Sequence, residues 1–477
     1  MTAASFVRVT AAGVMTWSKG WDRLTVERFT KGFATLQTKR RAKRRFIPYR
    51  RKAPSLTVEP SKPRLFAVLG PGLITGASDD DPSGIATYSQ AGAQFGFSIT
   101  WTLFFTYPMM AVIQEISGRI GRTTGEGIAA NIRNHYPNWI LQSIVTPLLV
   151  ANTINIGADL GAMGDAIDLL VGGSKVMYVI IFGCLCAMLQ VFLHYSRYAS
   201  VLKWLTLALF AYFGTAVVVK VPWMEALRGF VIPTFSTDVA FWSTVVAIFG
   251  TTISPYLFFW QASQEVEDLD EVPMRRPLLE APKQAPDAHE RITIDTYIGM
   301  AFSNLVALAI MVTTAATLHA SGKVDIQTSR QAAEALKPVA GEFAFAIFTL
   351  GIVGTGLLAV PVLAGSAAYA LGEARKWPTG LAREPLEAKA FYVTIVLATF
   401  AGVAINFSPL DPMRALFFSA VINGVVAVPV LAMVMLITSN RAIMGRFTID
   451  GSRRILGWLA TAIMAAAAAG MVVTAIL

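Results

Sequence analysis

Charge is scarce in this chain: of 477 residues only 15% are Asp, Glu, Lys or Arg, while 54% are apolar and the mean hydropathy is +0.54. A soluble globular protein carries about a quarter of its residues as charges, so that class is excluded. The two cysteines, Cys184 and Cys186, lie two apart in an apolar run. They staple nothing distant, which removes a disulfide scaffold. Only four histidines occur, His135, His194, His289 and His319, all in loops or at helix ends, so no zinc or haem site is expected. A Gly-Lys-Ser/Thr phosphate loop is missing, which leaves ATP-driven pumping without a motif. Gly125-Glu126-Gly127 and Gly354-Thr355-Gly356 follow no strand and are not dinucleotide fingerprints.

The net charge of +10 suggests a nucleic-acid partner until its placement is considered. Residues 1–64 hold 16 Lys and Arg against three acids, a charge of +13, and the remainder is −3. This head contains the run KRRAKRRF and reads as a solvated tail that meets anionic lipid, with an organelle transit peptide as the alternative. No nucleic-acid partner is expected. The head, residues 1–63, is one unit, and residues 64–477 are the membrane domain.

Apolar runs of spanning length follow, each near the roughly 20 residues that cross hydrocarbon. Eleven are expected, at about 65–95, 97–118, 139–170, 176–194, 200–221, 239–263, 293–318, 342–371, 389–408, 413–438 and 455–476. Outside the head, Lys and Arg divide 17 to 7 between alternate sets of loops. Because cytoplasmic loops collect basic residues, the N-terminus is placed inside and the C-terminus outside. A multi-pass protein of a bacterial inner or plasma membrane is expected, with the bilayer as partner; the sequence sets no oligomeric state, and a monomer is among those it allows. Residues 264–291, Pro-rich and mixed in charge, read as a cytoplasmic loop without a core. Residues 319–341 read as an outer loop with one short helical piece.

Two spans contain helix breakers at their centres. In the first, Asp79-Asp80-Asp81-Pro82-Ser83-Gly84 cannot be continuous helix, because Pro82 lacks an N–H and disfavours helical geometry at Asp81. In the sixth, Pro255 interrupts Thr251-Thr252-Ile253-Ser254 in the same way. First and sixth spans correspond in two five-helix halves, about 64–221 and 239–438, with an extra helix at about 455–476. Matched breaks of this kind point to a midplane site in an inverted-repeat transporter. A carboxylate at that depth costs about 2.5–3.5 kcal/mol on insertion scales, so three need compensation. A hard divalent cation supplies it by taking carboxylate, carbonyl and hydroxyl oxygens.

The segments GPGLITGAS and DPSGIATYSQAGAQFG resemble the first-helix signature of NRAMP-type metal transporters, and GTTISPYLF resembles their sixth-helix segment. IQEISGRIGRTTGEG, ADLGAMGDAI and IDTYIGMAFSNLVALAI extend the similarity from residue 64 to about 440. The resemblance implies an all-α membrane protein of LeuT-like fold: two inverted five-helix repeats, an eleventh helix, and helices 1 and 6 unwound at the centre. It also implies alternating access around a divalent-cation site. No enzymatic cofactor is implied; Mg2+ or Mn2+ would be the transported substrate.

Residues implied at the metal are Asp81, Gly84, Ser78, Thr251 and Ser254, with Asp79, Asp80, Ser83, Thr252, Tyr256, Asp159, Glu115, Asn304 and Asn423 as second shell or pathway. Interhelical hydrogen bonding is an equal reading of Asn304 and Asn423, and structural pairing an equal reading of Glu115 and Asp159. Asp81 matches the family's metal-binding Asp. The family's Asn ligand is Gly84 here, its Met is Ser254, and its Ala carbonyl position is Thr251. Oxygen-only sites suit Mg2+, Ca2+ or Mn2+, whereas soft sulfur selects transition metals. Losing the Asn side chain is expected to enlarge the site, and the pattern resembles the NRAMP-related magnesium transporters. The family's sixth-helix His positions are Tyr256 and Gln261, its third-helix acid after Asp159 is Ala162, and the ninth span has no Arg. A titratable relay is therefore largely missing, and uniport is expected. A proton-coupled Mn2+/Fe2+ symporter is the near alternative. A sodium-coupled solute carrier and a membrane-embedded hydrolase are remote ones, the latter because no nucleophile has a base partner.

Overall fold

Every element that the computed structural model describes is helical; it describes residues 79–193, 208–272, 274–408 and 411–476. The basic head, the first part of the first span and residues 194–207, which include the start of the fifth, lie outside the described residues.

Among the described residues, the helices of the bundle include α1 (Pro82–Phe95), α2 (Trp101–Thr124), α3 (Asn138–Val171), α4 (Lys175–Phe192), α5 (Phe210–Val218), α6 (Val239–Thr252), α7 (Pro255–Glu271), α8 (Ala285–Thr317), α9 (Ala344–Arg375), α10 (Lys389–Ile405), α11 (Pro412–Ser439) and α12 (Gly451–Ile476), with further short ones between them. Their starts follow local chemistry. Asp81, Asp238 and Asp411 each cap a helix by accepting a backbone N–H, and α1, α7 and α11 place a proline in their first turn, where the missing donor costs nothing. Helix α2 stops at Gly125, which adopts φ 71°, a left-handed conformation that suits glycine.

Seven of the described helical segments are long and apolar enough to cross a membrane, with α6 and α7 counted together. The pair running Pro82–Ile99 and Trp101–Thr124 passes jointly, bent by 109°. Helix α10 is shorter, at 17 residues. Large apolar side chains face outward along these helices, among them Ile181, Met188 and Phe192 on α4 and Leu397 on α10. Polar side chains gather inside. Exposed hydrocarbon around a polar interior is what lipid as the surrounding solvent selects.

The packing repeats between the halves. Helix α1 packs on α6, α2 on α8, α3 on α9 and α4 on α10, so elements at corresponding positions meet each other. The contact of α1 with α8 is matched by that of α7 with α2. Close approach between α3 and α10 depends on Gly157, where an added Cβ would stand 2.9 Å from the Gly402 carbonyl. Helix α12 lies outside the two halves, against α2, α6 and α11.

The segment 264–291 departs from expectation. Helix α7 continues to Glu271, α8 begins at Ala285, and the connection is tied down. Leu278 is buried against Ala285 and Ala288, with Phe447 beside them, and the Leu278 and Leu279 amides donate to the carbonyls of Arg122 and Thr123 at 3.2 Å each. Four of its charges pair: Arg291 with Glu265, and Arg275 with Asp268. Partners more than a hundred residues upstream order a stretch whose own composition promises nothing. In 319–341 the structure has more than the one helical piece expected: Ser329–Ala333, opened by a capping box of Thr328 and Gln331, is followed by Lys337–Ala340.

Candidate cation site

The helix breaks stand where the prolines put them. Asp81 is extended at φ −69°, ψ 169° and precedes α1; Ser254 is extended at φ −75°, ψ 121° and separates α6 from α7. Both breaks are buried, with Asp79, Asp80, Asp81, Thr251, Thr252 and Ser254 all at most 2% exposed.

Asp81 is held from two directions. Its Oδ1 accepts from the Gly84 amide at 2.7 Å and the Ser83 hydroxyl at 2.6 Å, the hydrogen bonds of an N-cap. Its Oδ2 accepts from Asn155 Nδ2 on α3 at 3.0 Å and, more weakly, from the Tyr256 hydroxyl on α7 at 3.5 Å. Asn155 Oδ1 in turn accepts from the Ser419 hydroxyl on α11 at 2.7 Å. Asp159 lies one turn further along α3, its Oδ2 3.5 Å from Asn155 Nδ2 and its Oδ1 without a hydrogen-bond partner.

The other two acids turn away from Asp81. Asp79 Oδ2 and Asp80 Oδ1 share the Ser303 hydroxyl of α8, at 2.6 and 3.1 Å. Adjacent in sequence, the three carboxylates therefore serve two different walls. Among the described residues no three Asp, Glu, His or Cys side chains converge on one point. A cation here must draw on hydroxyls, carbonyls and water as well as carboxylate, and those donors are at hand. Thr251 Oγ1 is buried without a hydrogen-bond partner. The Ser254 hydroxyl donates to the Gly250 and Thr251 carbonyls, 3.0 and 2.8 Å away, and its lone pairs remain available. Thr252 turns back to the Ile248 carbonyl of its own helix at 2.8 Å.

Gly84 does not leave the expected space. A Cβ built there would stand 3.1 Å from Thr251 Oγ1 and 3.3 Å from the Tyr88 ring, so these side chains close over the position. Glu115 sits apart in an ion cluster, with Arg119 at 2.6 Å, Arg453 of α12 at 3.1 Å and the Thr293 hydroxyl at 2.6 Å. No contact connects it to Asp81. Asn304 follows Ser303 on α8, its Oδ1 without a hydrogen-bond partner, and Asn423 lies one turn beyond Ser419 with both amide atoms in the same condition. Ser78 lies outside the described residues. Sequence reasoning missed Asn155, Ser303 and Ser419; their one signal was polarity within an apolar span.

A sequence model of the family described as Nramp, natural resistance-associated macrophage protein-like, matches residues 72–474. A divalent metal cation transporter MntH of Klebsiella pneumoniae (strain 342) is 26% identical over 410 residues, 84% of this chain and 92% of that one. The solved manganese transporter of Eremococcus coleocola, in complex with an aromatic bis-isothiourea substituted compound, superposes with a TM-score of 0.68 at 15% identity, covering 87% of this chain and 88% of its own. Mhp1, a nucleobase-cation-symport-1 family transporter in a closed conformation, reaches 0.50 at 13% identity, over 85% and 92% of the two chains. The fold is thus the LeuT-like one, interrupted in its first and sixth spans. With matched breaks around a buried Asp81 and a family match across most of its length, the chain belongs to the Nramp family, a transporter of divalent metal cations and not an enzyme.

Proposed function

We propose that this protein carries Mg2+, and Mn2+ as a second substrate, by alternating access without proton coupling. The observation that carries the reading is the donor set around Asp81: carboxylate, hydroxyl and carbonyl oxygens, with Ser254 where the family pattern has methionine. Hard oxygen donors suit Mg2+ and Mn2+ and offer a thiophilic ion no advantage. Coupling to protons needs a chain of titratable groups, and of the family's relay only Asp159 is present in this sequence. The driving force is then the membrane potential, about 2.3 kcal/mol per charge per 100 mV and roughly twice that for a divalent ion. In this reading the N-terminus is cytoplasmic, the C-terminus outside, and the membrane a bacterial inner or plasma membrane. The Glu115, Glu265 and Asp268 ion pairs gather basic residues assigned to the inner loops, in keeping with that orientation.

A second reading, proton-coupled Mn2+ or Fe2+ symport, draws on Asp159, one turn from Asn155 and carrying an unpartnered oxygen. The name of the MntH relative, a divalent metal cation transporter, supports the divalent cation that both readings share. Proteoliposome uptake with metal- and pH-sensitive dyes separates the two. Mg2+ flux without lumenal acidification supports uniport; metal-driven acidification, or no Mg2+ flux, overturns it.

A further inference from the structure

Asp81 has no acceptor capacity left. A carboxylate offers about four lone-pair positions, and here four donors occupy them: Gly84 N–H and Ser83 on Oδ1, Asn155 and Tyr256 on Oδ2. The first pair belongs to the opening turn of α1 and travels with Asp81 wherever that helix goes. The second pair comes from other helices. A cation that takes Asp81 therefore takes Oδ2, where the Tyr256 contact at 3.5 Å yields readily and the stronger competitor is the Asn155 bond at 3.0 Å.

Asn155 is built for that exchange. It is fully buried, and the Ser419 hydroxyl fixes its amide with Oδ1 toward α11 and Nδ2 toward Asp81. Nδ2 also lies 3.5 Å from Asp159 Oδ2, on the same face of α3. Nδ2 carries two N–H groups, one toward each carboxylate, so an ion on Asp81 Oδ2 leaves Asp159 as the one carboxylate that still faces the amide.

We propose that Asn155, oriented by Ser419, competes with the substrate cation for Asp81 Oδ2 and so sets the affinity of the site. Asn155 is a positioning residue that acts through Asp81. Its hydrogen bond weakens binding, which lets a bound ion leave, and it links the departure of an ion to a bond between α1 and α3. The inference rests on Asp81 being the carboxylate that meets the cation.

The test uses full-length protein, by calorimetric titration of Mn2+ and Mg2+ in detergent and by initial uptake rates in proteoliposomes. Asn155→Ala is expected to bind both ions about tenfold more tightly, since a hydrogen bond to a charged group no longer has to be broken. KM should fall with it, while the unfolding temperature drops because a buried contact is gone. A purely structural residue would lower stability and affinity together. Ser419→Ala, which only frees the amide to rotate, should move affinity the same way by a smaller factor and serves if Asn155→Ala does not fold. Unchanged or weaker binding in the folded variants overturns the proposal. If the wild-type protein binds neither ion, the reading of the Asp81 site fails and this inference with it; if it binds and the variants match it, this inference alone fails.

Discussion

Gly84 on α1 and Thr251 on α6 face each other across the two broken spans: a Cβ added to the glycine would lie 3.1 Å from the threonine hydroxyl. The two positions differ together from the family pattern, which has Asn at one and Ala at the other. Restoring the amide alone should fail for lack of room. Gly84→Asn is expected to lose most cation flux, and the double variant Gly84→Asn with Thr251→Ala to recover a substantial part. A coupling of about 1 kcal/mol or more between the two positions is expected for residues in direct contact. Additive flux losses in the double-variant cycle would show that the contact is not what ties them.

Asp81→Ala should abolish uptake of every divalent ion while the protein still reaches the membrane. The variant removes the carboxylate on which Ser83, Gly84, Asn155 and Tyr256 converge. Metal-sensitive dye in proteoliposomes checks it, and undiminished flux would remove Asp81 from the site.

Replacing Ser254 by Met exchanges a hydroxyl that donates to the Gly250 and Thr251 carbonyls for a thioether. Preference should move from Mg2+ toward Mn2+ and softer ions. Competition uptake with paired ions measures the shift; an unaltered ratio means that position 254 does not contact the cation.

Glu115 is fully buried beneath two arginines. Glu115→Ala leaves both cations facing an empty position and should cost about 3 kcal/mol of stability, in the range for breaking a buried pair. Arg453→Ala should cost much less, under about 1 kcal/mol, because its side chain is 36% exposed and Arg119 still serves the carboxylate. Unfolding temperatures in detergent give the order; equal losses would argue against it.

Both helix breaks were legible in the sequence because Pro82 and Pro255 each follow a polar run in an apolar span; proline alone does not decide it, since Pro108, Pro147, Pro361 and Pro429 lie inside helices. The acids beside one break made a cation the simplest occupant. The split among those acids was not legible, since it depends on Ser303 and Asn155, which lie 222 and 74 residues further along the chain than Asp81. A serine or asparagine in a long apolar helix is ordinary interhelical glue, and nothing in its spacing tells which neighbour it meets. The connection between α7 and α8 was misread for the same reason. Its order comes from backbone carbonyls at Arg122 and Thr123, which leave no trace in the composition of residues 264–291.

Helix α12 is outside both repeats and contributes nothing to Asp81, yet Arg453 in its first turn grips Glu115 of α2. A chain shortened at Asp450 would keep every ion-facing residue named here and lose one of the two guanidinium groups over that buried acid. Such a remnant would be complete as chemistry but incomplete as a solid. The appended helix is a buttress: it braces α2, α6 and α11 from outside and stays clear of Asp81.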